Sequence, residues 1–273
     1  MPEPVPAAQR SVPSGRPVPL PSLMRLGFLG SGNMASALAR GIGEPVLAFD
    51  PVAERAEALA QATGGSAVAT AAALAEQADV VVLAHKPAQL HEAAAGVAPH
   101  ARAVLSLLNA VPLARLREAY PGVPVVRAMP NTPAAVGKGV VALAADPDGD
   151  DALRTALTER LSRAATVVEL PESQLAAATA IFGVLPAYVA VFAEATVDAA
   201  VRHGVSPDVA GRMVAAGIEG SAALLVAQDH DTLTTRRAVT SPGGSTARGL
   251  RELDRGNLRE TIQSAFDAAA GAA

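Results

Sequence analysis

The chain has 273 residues, a formal net charge of −4, 50% hydrophobic and 3% aromatic residues, and neither Cys nor Trp. These figures exclude disulfides, thiolate catalysis and Cys-based zinc sites, and they leave no electrostatic footprint for nucleic acid. A core with so few rings must be built from Ala, Val and Leu, which favours closely packed helices and parallel strands.

The length suits one large domain or two ordinary ones. Residues 1–23 hold seven prolines and few apolar side chains. They lack the continuous apolar stretch of a signal peptide and read as a disordered Pro-rich tail, partly polyproline II, with no catalytic role. Cytoplasmic residence is expected. From Arg25 short apolar runs alternate with helical patterns. Strands are expected at 25–29, 46–49, 80–83, 103–108, 125–129, 140–144 and 166–170. Helices are expected at 34–40, 53–62, 113–120 and 151–163, with another ending at 74–77. The run Val80–Leu83 has no polar alternation, as in a parallel sheet covered on both faces. Strand–helix alternation predicts a doubly wound, Rossmann-like α/β domain over 24–170.

After Pro171 only helical periodicity remains, at 173–182, 187–203, 207–228, 246–254 and 258–270. The run Leu175–Ala193 is uncharged over 19 residues, long enough for a membrane span. Its Ala-rich make-up and the Glu194 and Asp198 that follow favour a buried helix pair in a helical domain or dimer core. An all-helical domain over 171–273, rich in small apolar residues, is expected to dimerise.

Gly30-Ser31-Gly32-Asn33-Met34-Ala35 follows a strand and opens a helix. Gly30 permits a tight turn, Gly32 lets backbone approach a pyrophosphate, and Ala35 lets helix and strand pack closely. The helix N-terminus adds partial positive charge. Asp50, at the end of the second strand, occupies the position of an acidic side chain that binds the adenosine ribose of NAD. A carboxylate there repels a 2′-phosphate and favours NADH, whereas Arg55 close by argues for NADPH. Asp50 also reads as a turn or capping residue before Pro51. Lys86-Pro87 follows the third strand, where Lys86 reads equally as a cofactor neighbour and as a solvated turn residue. His85 reads as a strand-end residue with satisfied hydrogen bonds. Pro130 and Asn131, in Met129-Pro130-Asn131-Thr132-Pro133, suit contact with a nicotinamide amide or a substrate, or a rigid capped loop. The five His show no metal-ligand spacing, and no metal is expected.

Far downstream, Val239-Thr240-Ser241-Pro242-Gly243-Gly244-Ser245-Thr246 precedes an amphipathic helix. Backbone N–H groups and hydroxyls at a helix start suit a small carboxylate, although alone the segment reads as an N-cap. Two anion cradles in one chain suggest an enzyme that brings a nucleotide and a small acid together.

Taken together, Gly27 through Ala35, Lys86-Pro87, Arg127 through Pro133, Pro186-Ala187-Tyr188 and Val239 through Thr246 resemble the Δ1-pyrroline-5-carboxylate reductase family. The resemblance implies reduction of the C=N bond of a cyclic imino acid to proline with NADPH or NADH. It implies homodimers or larger assemblies with interleaved C-terminal helices; from the charge and the helix pattern no nucleic-acid or membrane partner is expected. It places Ser241, Gly243, Gly244, Ser245 and Thr246 on the substrate carboxylate and ring nitrogen, with Thr246 the catalytic contact. It places Pro130 and Asn131 near the nicotinamide. The chain departs from the family at Gly183-Val184-Leu185-Pro186-Ala187-Tyr188, where Gly-Ser-Gly-Pro-Ala-Tyr is usual. Asn109-Ala110 replaces an Ala-Gly step, Arg236-Arg237 a Lys-Asp pair, and Ser245-Thr246 a Thr-Thr pair. A paralogue acting on another cyclic imine and a non-catalytic dinucleotide-binding dimer are the competing readings. A 3-hydroxyacid dehydrogenase would need an acid or base such as a Lys on an inner helix, and 175–228 contains none.

Overall fold

The computed structural model describes residues 24–271, so the Pro-rich segment 1–23 lies outside the described residues. The chain divides into two compact units, which meet in sequence at Leu175 and Ala176.

The first unit runs β1 (Leu26–Leu29), α1 (Asn33–Ile42), β2 (Leu47–Phe49), α2 (Ala53–Thr63), β3 (Ser66–Ala67), α3 (Ala71–Gln77) and β4 (Val80–Leu83). It continues with α4 (Leu90–Val97), β5 (Val104–Ser106), α5 (Leu113–Ala119), β6 (Val125–Pro130), β7 (Gly139–Ala145), α6 (Asp151–Leu161) and β8 (Ala165–Pro171). The eight strands form one sheet in the order β3-β2-β1-β4-β5-β6-β7-β8. Its centre is the uninterrupted apolar strand β4, whose four residues are all fully buried. Phe28, Leu38, Leu105, Leu143 and Leu157 pack into the same core. The close packing needs Gly41, because a Cβ there would overlap the Ala134 carbonyl.

The sheet is parallel through β6, as expected for a doubly wound domain, but β7 runs antiparallel to β6 and β8 parallel to β7. Residues 131–138 alone join β6 to β7, fewer than the dozen or so a parallel crossover requires. Two elements carry no readable period in the sequence: β3, with two residues, and α4, whose Ala-rich run gives little contrast between faces.

The second unit contains α7 (Leu175–Arg202, its first residue shared with the first unit), α8 (Pro207–Ala227), α9 (Thr232–Ala238), α10 (Ser245–Arg255) and α11 (Leu258–Ala270). The periodicity breaks near Pro186 and predicts two helices there, but α7 passes through Pro186 without interruption. A proline removes one N–H from the ladder and kinks a long helix more often than it ends it. Tyr188 ties α7 to α11: its hydroxyl donates to the Ala265 carbonyl at 3.0 Å, and its ring meets Phe266 edge-on at 5.1 Å. The unpredicted α9 starts at Asp231, whose carboxylate accepts from the Leu233 and Thr234 amides. Those bonds, with the Thr234 hydroxyl first among them, hold the Asp231 carboxyl below its usual range.

The apolar helices are not buried within one chain, so of the two settings expected for them, a helical domain or a dimer core, the first does not hold. Among the described residues from Ala176 onward only Phe182 and Ala210 are buried hydrophobics, while Val191, Phe192, Met213 and Val226 are each more than half exposed. Residues 172–202 and 207–227 are both long and apolar enough to cross a membrane.

Candidate active site

The glycine-rich turn lies where the sheet changes direction of growth. The neighbours of β1 are β2 and β4, so the chain reverses its order at this point, and ligands of open α/β sheets bind in the crevice at such a switch. Gly30 donates its N–H to the Phe49 carbonyl at the end of β2, 2.8 Å away. Its φ is +100°, and a Cβ would lie 2.8–2.9 Å from the Ala84 carbonyl and the His85 nitrogen at the end of β4. The turn is thus held between two strand ends, and only glycine fits.

Gly32 precedes α1 as its N-cap, without a side-chain cap, and nothing lies within 4 Å of where its Cβ would be. The first amides of α1, starting at Asn33 and Met34, are therefore open to an anion, and no acidic residue sits in that first turn. Ser31 is buried, yet its Oγ has no hydrogen-bond partner. An approachable backbone, a helix N-terminus and an orphaned hydroxyl fit a dinucleotide diphosphate.

Asp50 joins this turn directly. Its Oδ2 accepts from the Ser31 amide at 2.9 Å and its Oδ1 from the Val52 amide at 2.9 Å. The carboxylate thus makes the local turn that its sequence position suggested and also braces the glycine-rich loop, a role the sequence did not announce. Arg55 is exposed, and no ion pair joins it to Asp50 among the described residues.

At the end of β4 the structure corrects one expectation. The Nδ1 of His85 is 2.9 Å from the Lys86 carbonyl oxygen, but Nε2 is buried and has no partner. Burial pushes this imidazole below its ordinary pKa, opposed in part by the Lys86 carbonyl. Lys86 is exposed and precedes the 3-10 turn Pro87–Gln89; its N–H donates to Gln89 Oε1 at 3.3 Å. Pro130 ends β6, and Asn131 next to it is buried. Asn131 donates its N–H to the Val140 carbonyl at 3.1 Å, and its Oδ1 accepts from the Val140 N–H at 2.7 Å. This side-chain oxygen staples β6 to β7.

Sequence reasoning gave no role to an ion pair between the buried Arg127 and the half-buried Glu172. Arg127 in β6 donates to Glu172 Oε1 at 2.7 Å, and the same oxygen accepts from the Leu113 amide at 2.7 Å. The partners lie 45 and 59 residues apart, so no local pattern announces them.

The second cradle lies within the helical unit. Thr240 turns back on α9 through its N–H to the Arg237 carbonyl and its hydroxyl to the Arg236 carbonyl. Ser241 through Gly244 then form a turn closed by the Gly244 N–H on the Ser241 carbonyl at 3.1 Å. Gly243 has φ +71°, and a Cβ on Gly244 would strike Ser241 Oγ. Gly244 is the N-cap of α10, and Ser245 and Thr246 are its exposed first residues. Arg248, absent from the sequence-based site, donates to the Gly243 carbonyl at 2.8 Å and braces the turn. Among the described residues no group of three or more His, Asp or Glu could hold a metal ion.

A sheet that is parallel through β6, with this turn at its switch point, defines a dinucleotide-binding protein of the Rossmann class. The family model "Pyrroline-5-carboxylate reductase dimerisation" matches residues 172–273, and "NADP oxidoreductase coenzyme F420-dependent" matches residues 25–110. The chain is 35% identical to pyrroline-5-carboxylate reductase of Mycobacterium tuberculosis, over 90% of this chain and 95% of the relative. It is 32% identical to that of Synechocystis sp., over 90% and 96%. Among solved structures, the Plasmodium falciparum pyrroline carboxylate reductase with NADP bound is similar at TM-score 0.79 and 28% identity, covering 91% of this chain and 96% of that one. A Coxiella burnetii pyrroline-5-carboxylate reductase is similar at TM-score 0.81 and 26% identity, covering 91% and 96%. The chain belongs to the pyrroline-5-carboxylate reductase family. The match to the dimerisation model covers α7 and α8, and it accounts for their apolar faces as interfaces between protein copies.

Proposed function

We propose that this protein reduces the C=N bond of pyrroline-5-carboxylate to give proline, using NADH or NADPH, as a soluble cytoplasmic homodimer or larger assembly. The observation that carries the reading is the pairing, in one chain of this family, of the Gly30–Ala35 turn at the sheet's switch point with the Ser241–Thr246 turn at the start of α10. We assign 24–170 to cofactor binding and 171–273 to the substrate and the dimer.

Gly30, Ser31, Gly32, Asn33 and Met34 would hold the diphosphate through backbone amides and the Ser31 hydroxyl. Asp50, braced by two amides, would accept from the adenosine ribose hydroxyls; its charge opposes a 2′-phosphate and favours NADH. Lys86, Pro87, Pro130 and Asn131 would frame the nicotinamide half, with Asn131 acting through the loop it staples. When bound, the reduced nicotinamide supplies a hydride to the imine carbon. The amides of Gly243, Gly244 and Ser245, with the Ser241 hydroxyl, would hold the substrate carboxylate. Thr246 would hydrogen-bond the ring nitrogen and fix the plane of the C=N bond. A protonated imine is already electrophilic, so alignment and exclusion of water suffice, in keeping with the absence of a His or Lys from this second cradle.

The test is oxidation of NADH and of NADPH by the purified protein, with the five-membered imino acid and its six-membered analogue run in parallel. Turnover of the five-membered ring is the expected result, faster with NADH. Turnover of the six-membered ring alone would favour a paralogous activity, for which Val184 and Leu185 in α7 are the motivating departures. Nucleotide binding without turnover would leave only the non-catalytic reading.

A further inference from the structure

Segment 232–251 holds four Arg and no Asp or Glu, in a chain whose net charge is −4. The Ser241–Thr246 turn lies within this segment, so positive charge gathers about the second cradle. Where the family usually has a Lys-Asp pair this chain has Arg236-Arg237, which turns a carboxylate just ahead of the turn into a cation.

The arginines of α10 and α11 fall into two groups. Arg251, Arg255 and Arg259 each pair with Glu252 or Asp254. Among the described residues Arg248 pairs with no carboxylate. Its exposed guanidinium instead turns back five residues and donates through one nitrogen to the Gly243 carbonyl, 2.8 Å away. Gly243 precedes the N-cap Gly244, so the guanidinium stands level with the first amides of α10. A helix start carries partial positive charge and disfavours a cation. The first turn of α10 offers no acidic residue to offset it, and the N-cap supplies no side chain. Guanidinium, amides and dipole thus present positive charge to one exposed place, and an anion there satisfies all three.

A guanidinium is a rigid fork of five N–H donors, matched to a planar carboxylate. One nitrogen of Arg248 is anchored on Gly243, which holds the fork in place and leaves the other donors for a ligand. Backbone amides are neutral and bond any acceptor oxygen, whereas a fixed guanidinium favours a charged one. We infer that Arg248 is a specificity-determining residue of the substrate cradle: anchored on Gly243, it donates to the substrate carboxylate and selects cyclic imines that carry one over rings that do not. The inference rests on the substrate reading given under the proposed function, whose residues do not include Arg248.

Steady-state reduction of pyrroline-5-carboxylate and of 1-pyrroline, the same ring without the carboxylate, tests it in full-length wild type, Arg248→Lys and Arg248→Gln. Glutamine keeps a donor for the Gly243 carbonyl and loses the charge, whereas lysine keeps the charge and loses the fork. KM for pyrroline-5-carboxylate is expected to rise about tenfold in Arg248→Gln and about threefold in Arg248→Lys, with kcat within about twofold of wild type. Reduction of 1-pyrroline and the affinity for the dinucleotide are expected to stay at their wild-type values. An unchanged KM in Arg248→Gln would overturn the inference. Equal loss on both rings, or a fall in kcat alone, would also overturn it and leave Arg248 as a brace of the turn. Thermal melting establishes that each variant is folded, and if Arg248→Gln does not fold, Arg248→Met takes its place. A wild type that reduces neither ring would instead sink the parent reading.

Discussion

The two units use the same Ala-, Val- and Leu-rich vocabulary to opposite ends. In the nucleotide unit, β4 buries all four of its residues, and the helices that cover the sheet come from the same chain. In the helical unit, α8 spans 21 residues and buries only Ala210. Val191 and Met213 are 64% and 65% exposed, and Ala193, Val197, Gly211 and Val214 line an open apolar groove. Apolar surface on this scale is closed by a partner in a stable protein. The family match names dimerisation as the purpose of this region. Composition therefore does not say whether a hydrophobic helix finishes its core within its own chain or with a second copy.

The sharpest way to break this contrast is Val191→Glu. If the α7 face is an interface, burying an unpaired carboxylate there costs about 3 kcal/mol or more per copy. Sedimentation should then show loss of the dimer, and turnover should fall by more than tenfold, while nucleotide titration stays close to wild type. A dimer of unchanged stability would show that this face is solvent-exposed in the assembly.

The matching break in the nucleotide unit is Gly41→Ala. Its Cβ would overlap the Ala134 carbonyl and lie 2.8 Å from Ala164 Cβ. Overpacking of this kind costs about 1–3 kcal/mol, and the added backbone conflict points to the upper end. Thermal or urea unfolding should register the loss.

Thr246→Ala separates the two cradles functionally. Turnover is expected to drop about tenfold, the worth of one hydrogen bond at the reacting ring. Nucleotide affinity should hold, and its collapse would contradict the role given to Thr246.

The smallest expected effect is a gain. Ala110 has φ +59°, in the left-handed region, at the place where the family usually has glycine. A non-glycine residue there is strained by about 1–2 kcal/mol, partly offset because glycine loses more chain entropy on folding. Ala110→Gly should stabilise the nucleotide unit by about 0.5–1 kcal/mol in urea melts, without changing the dimer.

Much of the fold was legible because its signals are local. The runs at β1, β4 and β6 lack polar alternation, as buried parallel strands do, and helix starts at Gly32 and Gly244 follow from turn chemistry within a few residues. The glycine turn, the proline-flanked loop and the second turn were enough, read together, to point to the family. What the tertiary structure decided depends on residues far apart in the chain or on packing. The direction of β7 follows from how much chain is left to return, and α7 continues through Pro186 with Tyr188, two residues on, tied to α11. The carboxylate of Asp50 finds the Ser31 amide 19 residues back, Asn131 finds Val140, and Glu172 finds both Arg127 and Leu113. His85, expected to be satisfied, is left with an unmatched nitrogen. Periodicity and turn preferences are properties of a short stretch of chain. The partner of a polar atom is settled by which backbone groups the finished fold brings within hydrogen-bond reach.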